Sequence, residues 1–131
     1  MDKRPNVCAK LMLRSKNRIL MLQHRSNGAY DFPGGHVEWA ESPEEALLRE
    51  LKEELNYAPP EVPKFFGYWN YVSADKKYHD VFLYFFLEVP EPPTFEGMAE
   101  QADLVWLDKQ WYLDRFDDDA RVERMFSSNP V

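Results

Sequence analysis

The stretch from Gly34 to Tyr57, GGHVEWAESPEEALLRELKEELNY, constrains the fold more than any other part of the chain. Ser42 is a good helix N-cap, Pro43 suits the first helical position, and Glu45, three residues after the serine, completes a capping box. Leucines then recur at helical spacing, which predicts a helix with one buried face. The stretch therefore predicts a glycine turn, a short loop and an amphipathic helix.

One face of this predicted helix carries a cluster of acids. At about 100° per residue, Glu50, Glu53 and Glu54 share the face beside the leucine stripe, whereas Lys52 points to the opposite side. Like charges this close repel each other, and a hard divalent cation such as Mg²⁺ or Mn²⁺ would neutralise them through its preference for oxygen ligands. The acids alone favour the alternative, a solvated and charged surface helix. The flanking glycines and the full spacing favour a metal site.

That spacing resembles the Nudix box, in which a glycine, five residues, a glutamate and seven residues precede the pattern R-E-U-x-E-E-x-G-U, where U is a bulky aliphatic residue. The matching residues are Gly35, Glu41, Arg49, Glu50, Leu51, Glu53 and Glu54. Asn56 and Tyr57 depart from the last two positions of the pattern. Asparagine tolerates the left-handed conformation required at a helix C-terminus, so the first departure keeps the turn feasible.

The resemblance implies a fold and a chemistry. A MutT-like Nudix protein is an α/β/α sandwich with a mixed β-sheet, and it hydrolyses a nucleoside diphosphate linked to another group with the help of Mg²⁺ or Mn²⁺. Glu53 and Glu54 correspond to metal ligands, Glu50 to a further ligand or the general base, and the Gly35 carbonyl to another ligand. The resemblance also implies a structural salt bridge between Glu41 and Arg49.

Residues outside the box are weaker candidates. Glu100 lies six residues before Trp106, and MutT-like members carry, at a similar offset, a glutamate that binds metal or acts as a base. Glu96 and Asp103 are the alternative candidates for this role. His24 and Arg25 follow a predicted strand and are candidates for contact with substrate phosphate. A solvated loop accounts for them equally well.

The sequence predicts the substrate less clearly than it predicts the type of reaction. A MutT-like length favours a nucleoside triphosphate cleaved to monophosphate and pyrophosphate. Dinucleoside polyphosphates, nucleotide sugars and RNA 5′ ends remain alternatives. A non-catalytic nucleotide-binding domain is a further alternative, although its mark would be replacement of the box acids, all of which are present.

Composition narrows the class of protein. A chain of 131 residues suits one domain spanning 1–131, as a monomer or a homodimer, and its net charge of −7 argues against a broad nucleic-acid surface or an anionic-membrane surface. A single cysteine, Cys8, fits a reducing compartment and a core thiol. The longest apolar run, Val81 to Leu87, is too short to cross a bilayer, and no signal-peptide pattern is evident. These features predict a cytoplasmic protein.

Patterning along the chain predicts strands before and after the box helix and one more helix at the end. The predicted strands are Val7–Leu13 and Arg18–Gln23, forming a hairpin, then Lys64–Val72, Tyr78–Val89 and Ala102–Leu107, with a final helix near Asp118–Phe126. The apolar centre of the Tyr78–Val89 segment predicts a strand covered on both faces. Asp117, Asp118 and Asp119 are interpreted as helix-capping residues rather than metal ligands. This order predicts a mixed sheet between helices.

Overall fold

Seven strands and three helices make up the computed structural model, which describes residues 3–96 and 102–131. The strands are β1 (Asn6–Ser15), β2 (Arg18–His24), β3 (Tyr30–Asp31), β4 (Gly34–His36), β5 (Lys64–Val72), β6 (His79–Glu88) and β7 (Ala102–Asp108). The helices are α1 (Pro43–Leu55), α2 (Lys109–Arg115) and α3 (Asp119–Met125). Two very short strands, β3 and β4, lead from the first hairpin into the box.

The sheet is mixed. Its strand order is β3-β2-β1-β6-β5, with β4 pairing with β1 and β7 pairing with β2. The pairing of β1 with β6 is parallel, and the other strand pairs are antiparallel. A parallel pair needs a crossover, and here the chain between β1 and β6 contains α1.

Helices cover both faces of the sheet. Alternate residues of β1 point to opposite faces: Leu11 and Leu13 pack with the leucines of α1, whereas Met12 packs with residues of α2 and α3. The first core contains Leu47, Leu51 and Leu55 of α1. The second contains Tyr112, Val122 and Met125. The predicted α/β/α sandwich with a mixed sheet is therefore confirmed.

The first hairpin turns tightly. Lys16 and Asn17 have φ values of 51° and 61°, and Arg14 and Ser15 pair with Ile19 and Arg18 on either side of the turn. Two successive positive φ values match the turn type whose twist suits a two-residue hairpin loop. The predicted hairpin is therefore present, although β1 pairs over more of its length with β6.

Two predictions about secondary structure need correction. The segment predicted from Tyr78 begins its strand at His79, and only Phe85–Leu87 of β6 is fully buried, because Phe82 and Tyr84 line a cavity on one face of the sheet. The residues Trp111 to Leu113 lie within α2, a helix that the sequence patterning did not predict. Asp108 caps α2 by accepting a hydrogen bond from the amide of Trp111 at 3.0 Å.

Two further observations bear on the class of protein. Cys8 is buried in the sheet, and this burial raises the pKa of its thiol. Within residues 3–96 and 102–131, no helix is both long enough and apolar enough to cross a membrane.

Candidate active site

The box helix begins and ends at the predicted residues. The Ser42 side chain accepts a hydrogen bond from the amide of Glu45 at 3.0 Å, and the Glu45 carboxylate accepts one from the amide of Ser42 at 3.0 Å. Asn56 ends α1 in the left-handed conformation, with φ 50° and ψ 38°. The capping box and the asparagine therefore fix the register at which α1 presents its acidic face.

A pair of glycines in β4 lies against that acidic face. Gly34 has a φ of +134°, and a Cβ atom there would meet the carbonyl oxygen of Ala9 at 2.0 Å. A Cβ atom on Gly35 would lie 2.4 Å from the carboxyl carbon of Glu50 and 2.6 and 2.7 Å from its two oxygens. Gly34 thus permits the strand pairing, and Gly35 makes room for a helix carboxylate.

Arg49 joins the loop before α1 to the acids of the helix. Its Nε donates to Glu41 Oε2 at 2.8 Å and its Nη2 to Glu41 Oε1 at 3.0 Å, so the two side chains form a bidentate pair. Its Nη1 lies 2.9 Å from Glu50 Oε1 and 3.4 Å from Glu53 Oε2, and its Nη2 donates to the carbonyl of His36 at 2.9 Å. One guanidinium therefore hydrogen-bonds three carboxylates and the end of β4, and a fourth carboxylate, that of Glu38, lies 3.8 Å from its Nη2.

These contacts shift the titration of both partners. The hydrogen bonds from Arg49, followed by the one from the amide of Glu38, hold the pKa of Glu41 below its usual range. Hydrogen bonds to Glu41 and then to Glu50 raise the pKa of Arg49, so the arginine stays charged. The pair is ionised at neutral pH.

Glu54 is partly buried, like Glu50. Burial raises the pKa of its carboxyl group, and the amide of Gly34, which donates to Glu54 Oε1 at 3.3 Å, and the charge of Lys10 oppose that shift. Glu53, in contrast, has a side chain that is 61% exposed. The acidic face thus runs from an enclosed carboxylate beside β4 to an exposed one beside Arg49.

The donor set fits a hard divalent cation, although the side chains are not gathered around one. Among the described residues, no three His, Cys, Asp or Glu side chains lie close enough together to hold a metal ion. Glu50, Glu53 and Glu54 nevertheless offer only oxygen donors, and the absence of a side chain at Gly35 keeps the space beside Glu50 open. Oxygen donors at an open position match the preference of Mg²⁺ and Mn²⁺.

The strand register decides which backbone carbonyl faces the acids. Gly35 lies opposite Ala9, and the hydrogen bonds Val37 N to Val7 O and Leu11 N to Pro33 O flank this pair, each at 2.8 Å. The alternation of an antiparallel ladder therefore directs the Gly35 carbonyl towards β1. The carbonyls of the two neighbouring residues, Gly34 and His36, point the other way, and that of His36 already accepts from Arg49.

The candidates outside the box lie along the pairing of β2 with β7. Arg25 Nη2 forms an ion pair with Asp103 at 2.9 Å, and His24 lies opposite Ala102, so both predicted phosphate-contact residues stand where β2 meets β7. Glu100 lies outside the described residues, and Glu96 is exposed. These roles for His24, Arg25 and Glu100 stay predictions.

Residues that flank Glu100 in sequence lie near the end of the box helix. The ring of Phe95 packs edge-on against Tyr57 with centroids 5.3 Å apart, and Ala102 belongs to the same buried cluster as Leu55. Phe95 therefore lies just beyond the C-terminal end of α1, the half of the helix that also carries Glu53 and Glu54.

A groove lined with aromatic residues opens on the α2 and α3 face of the sheet. Two adjoining cavities, of about 330 and 230 Å³, share Tyr84, Arg115 and Phe116. Their other lining residues are Met12, Met21, Tyr30, Asp31, Phe32, Trp69, Phe82, Trp111, Asp117, Asp118 and Arg121. Burial raises the pKa of Tyr84 to about 12, so its hydroxyl stays protonated at neutral pH.

Lys10 connects this groove to the acids. Its side chain is 8% exposed, its ammonium group lies 2.9 Å from Asp31 Oδ2, and it donates to the carbonyl of Phe32 at 3.3 Å. The same charge acts on Glu54 across β4. The sequence analysis missed Lys10 and the groove. A charged residue within an otherwise apolar strand was the available signal for Lys10, whereas nothing in the sequence marks which aromatics face the groove.

Comparison with known proteins agrees with this geometry. The sequence matches the NUDIX domain over residues 2–126. The chain belongs to the NUDIX domain family. It is 33% identical over 88 residues to an ADP-ribose pyrophosphatase of Methanocaldococcus jannaschii, covering 65% of this chain and 52% of that protein. It is 39% identical over 59 residues to an RNA pyrophosphohydrolase of a Marinomonas species, covering 45% of this chain and 36% of that protein.

The fold comparison gives a shared fold. A crystal structure of a MutT protein from Methanosarcina mazei Go1 superposes with a TM-score of 0.72 at 22% identity, covering 96% of this chain and 93% of that one. The chain spans about half the length, or less, of the curated relatives it matches. Their names are those of enzymes acting on phosphoric anhydride bonds, which agrees with the predicted activity class. The predicted membership of the Nudix family is confirmed.

Proposed function

We propose that this NUDIX domain is a divalent-cation-dependent pyrophosphohydrolase that acts on a nucleoside diphosphate linked to another group. Its favoured reaction is cleavage of a nucleoside triphosphate to monophosphate and pyrophosphate. The observation that carries the proposal is the fit of Gly35 to Glu50, where any side chain would displace the carboxylate. Glycine in this strand lets a helix carboxylate lie close to the strand backbone. The simplest explanation of this close packing is that both belong to a reaction site.

In this proposal, the three helix carboxylates hold Mg²⁺ or Mn²⁺. Glu53 and Glu54 are ligands, and Glu50 is a further ligand or the base. Because the ladder directs the Gly35 carbonyl towards β1, we assign the backbone ligand to the Gly34 carbonyl rather than to the predicted Gly35 carbonyl. A bound cation would neutralise charge on the phosphate oxygens and would lower the pKa of the attacking water.

Arg49 acts by positioning. It holds Glu50 at 2.9 Å while it is itself held by both oxygens of Glu41 and by the His36 carbonyl. The bidentate pair fixes the plane of the Arg49 guanidinium group. It therefore also fixes the direction from which Arg49 Nη1 contacts the Glu50 carboxylate. Glu41 and Arg49 thus orient the acids and touch no substrate.

The proposed reaction is an attack of water on one phosphorus atom of the pyrophosphate. The water oxygen forms the new P–O bond, the bond from that phosphorus to the bridging oxygen breaks, and the bridging oxygen leaves with the departing phosphate. A carboxylate accepts the proton of the water, and Glu50 is the candidate within the described residues, with Glu100 as the second candidate.

The aromatic groove is the proposed place for the nucleoside. Aromatic rings bind a base by stacking, and Tyr84 and Phe82 lie in adjacent face positions of β6. Lys10 and Asp31 stand between this groove and Glu54, so a nucleoside in the groove would direct its phosphates towards the acids. His24 and Arg25 remain candidates for contact with the far end of the phosphate chain.

A second candidate substrate comes from the relatives. The 33% identity to an ADP-ribose pyrophosphatase favours a nucleotide sugar as the alternative to a triphosphate. The RNA pyrophosphohydrolase match, at 39% identity over a shorter segment, makes an RNA 5′ end the next alternative. Dinucleoside polyphosphates and a non-catalytic nucleotide-binding domain complete the set.

A substrate panel separates these possibilities. Purified protein is incubated with Mg²⁺ and, separately, a nucleoside triphosphate, ADP-ribose, a dinucleoside polyphosphate and a 5′-triphosphorylated RNA, and the products are resolved by phosphorus NMR. We expect monophosphate and pyrophosphate from the triphosphate, and no product in excess chelator. Nucleotide binding without turnover of any compound would identify a non-catalytic domain, and full turnover in chelator would exclude the metal.

A further inference from the structure

A second charged cavity lies on the β5–β6 side of the sheet, beside the start of β1. It has a volume of about 410 Å³ and is formed where the N-terminal segment meets the hairpin between β5 and β6. We call it the basic pocket. Its lining residues are Lys3, Arg4, Pro5, Val72, Lys76, Lys77 and His79.

The concentration of positive charge is unusual for this chain. Four of its sixteen lysines and arginines line one cavity, although the whole chain carries a net charge of −7. Within residues 3–96 and 102–131, Lys3, Lys76 and Lys77 form no ion pair, whereas Lys16 and Lys109 pair with glutamates at 2.8 and 2.6 Å. Like charges that share a cavity repel one another, and an anion in that cavity would relieve the repulsion.

Hydrogen bonds hold the two segments that carry these charges. The hairpin turn is closed by Ser73 N to Tyr78 O and Lys76 N to Ser73 O, each at 2.9 Å. Asp75 accepts from the Ser73 hydroxyl at 2.7 Å and from the Lys77 amide at 3.0 Å, so this acid is engaged within the turn. These contacts lower the pKa of Asp75, with the bond from Ser73 as the first cause. The lysines therefore project from an ordered turn.

The N-terminal side is tied to the same sheet. The Asn6 amide group donates to the Asp80 carboxylate at 3.3 Å, and β1 pairs in parallel with β6 from these two residues onward. His79 lies 2.7 Å from the Asn70 side chain through its Nε2. The two halves of the pocket are thus fixed relative to each other by the β1–β6 pairing.

We propose that the basic pocket is a second anion site, which binds phosphate groups outside the reaction centre. Its distance from the carboxylates follows from the register. Gly35 lies opposite Ala9, which lies opposite Leu83 of β6, and the pocket residue His79 precedes Leu83 by four residues, about 13 Å of extended strand. Because the phosphates of a nucleoside triphosphate are adjacent to one another, one such molecule cannot place phosphates both at Gly35 and in the pocket.

Phosphate could reach this site from two sources. A single-stranded nucleic acid whose 5′ end is cleaved at the carboxylates would place a later phosphate of its own backbone in the pocket. A separate phosphate compound would occupy it as an independent ligand. The first source rests on the proposed pyrophosphohydrolase function, whereas anion binding by the pocket does not.

Binding of inorganic tripolyphosphate tests the site itself. The titration is done by calorimetry in excess chelator, so that no metal can recruit the anion to the carboxylates. We expect saturable binding by the wild-type protein that weakens as salt is raised, and at least tenfold weaker binding by the double variant Lys76→Gln/Lys77→Gln. The matched control is the double variant Lys16→Gln/Lys109→Gln, which removes two positive charges from outside the pocket. Lys16, like Lys76, is a turn residue with a positive φ, so each double variant changes one such lysine.

The outcomes of this titration are distinct. Binding that falls in the pocket variant and stays within twofold of wild type in the control supports the site. Absence of saturable binding by the wild-type protein, or equal weakening in both double variants, overturns it. Circular dichroism of both variants establishes that the fold is retained, and neither substitution touches a core residue.

Turnover then distinguishes the two sources. The KM for a five-nucleotide RNA bearing a 5′-triphosphate is compared with the KM for a mononucleoside triphosphate. If only the KM for the RNA rises in Lys76→Gln/Lys77→Gln, the ligand of the pocket is a distal phosphate of the RNA substrate. Unchanged KM values together with lost tripolyphosphate binding identify a separate phosphate compound. If the protein hydrolyses nothing, the calorimetric result still decides the anion site.

Discussion

Replacement of Gly35 by alanine is the sharpest local test of the candidate site. The added Cβ would lie 2.4 Å from the carboxyl carbon of Glu50, whereas ordinary contact begins at 3.4 Å, so the Glu50 carboxylate must retreat by about 1 Å. The backbone of Gly35 is outside the left-handed region, so alanine brings no strain of its own. The perturbation therefore falls on one flexible side chain.

The expected magnitudes differ for stability and for activity. Moving Glu50 away from its preferred rotamer costs about 1 kcal/mol, a small part of a typical unfolding free energy of about 5–15 kcal/mol. A misplacement of about 1 Å in a reaction site costs about 10²-fold in rate. We therefore expect Gly35→Ala to remain folded at 25 °C while its turnover falls about a hundredfold.

Urea unfolding and steady-state kinetics measure the two effects separately. Gly67→Ala is the matched control, because a Cβ there meets only Arg124 Nη1 at 3.9 Å, which is ordinary contact. The control should keep both its stability and its kcat. Wild-type turnover in Gly35→Ala, or a loss explained entirely by the fraction of unfolded protein, would refute a reaction site built on the contact between Gly35 and Glu50.

Three further predictions follow from the same residues. Gly34→Ala should destabilise the fold by more than about 3 kcal/mol in urea titrations, because a Cβ at φ +134° would lie 2.0 Å from the backbone oxygen of Ala9; near-wild-type stability would contradict the strand pairing. Arg49→Lys keeps the charge but loses the bidentate pair, so kcat should fall about ten- to a hundredfold with little change in KM; an unchanged kcat would remove the positioning role. Glu54→Gln should be at least as stable as wild type in chelator at pH 7. Burial raises the folded-state pKa of Glu54 above 4.5, so ionisation of Glu54 lowers the stability of the wild-type fold at higher pH. In thermal melts below pH 4.5, where Glu54 is protonated in both states, the stability advantage of Glu54→Gln should disappear. A large loss of stability in Glu54→Gln at pH 7 would indicate a structural role for Glu54.

Local sequence signals were sufficient for the box helix. Ser42, Glu45 and Asn56 act within one or two turns of their own backbone, so their effect on the ends of α1 could be read without knowing the rest of the fold. The pair of Glu41 and Arg49 is eight residues apart along the chain and was expected from the family resemblance. These features recur in the structure at the predicted residues.

Long-range features were not predictable in the same way. The position of the Lys10 side chain depends on its ion pair with Asp31, twenty-one residues away, and on the register that brings β4 beside β1. The choice between the carbonyls of Gly34 and Gly35 also depends on that register, because a shift of one residue exchanges the directions of successive carbonyls. The helix α2 was missed because its seven residues carry too little periodicity to distinguish them from a loop.

Binding of Mn²⁺ is the measurement that tests the central claim most directly. Free Mn²⁺ is followed by electron paramagnetic resonance during titration of wild-type protein, Glu53→Gln, Glu54→Gln and Glu44→Gln, in which Glu44 is an exposed acid in the first turn of the same helix. If the acidic face holds the cation, Glu53→Gln and Glu54→Gln should each bind Mn²⁺ at least tenfold more weakly, and Glu44→Gln should match the wild type. Equal Mn²⁺ affinity in all four proteins would contradict the assignment of the box carboxylates as the metal site.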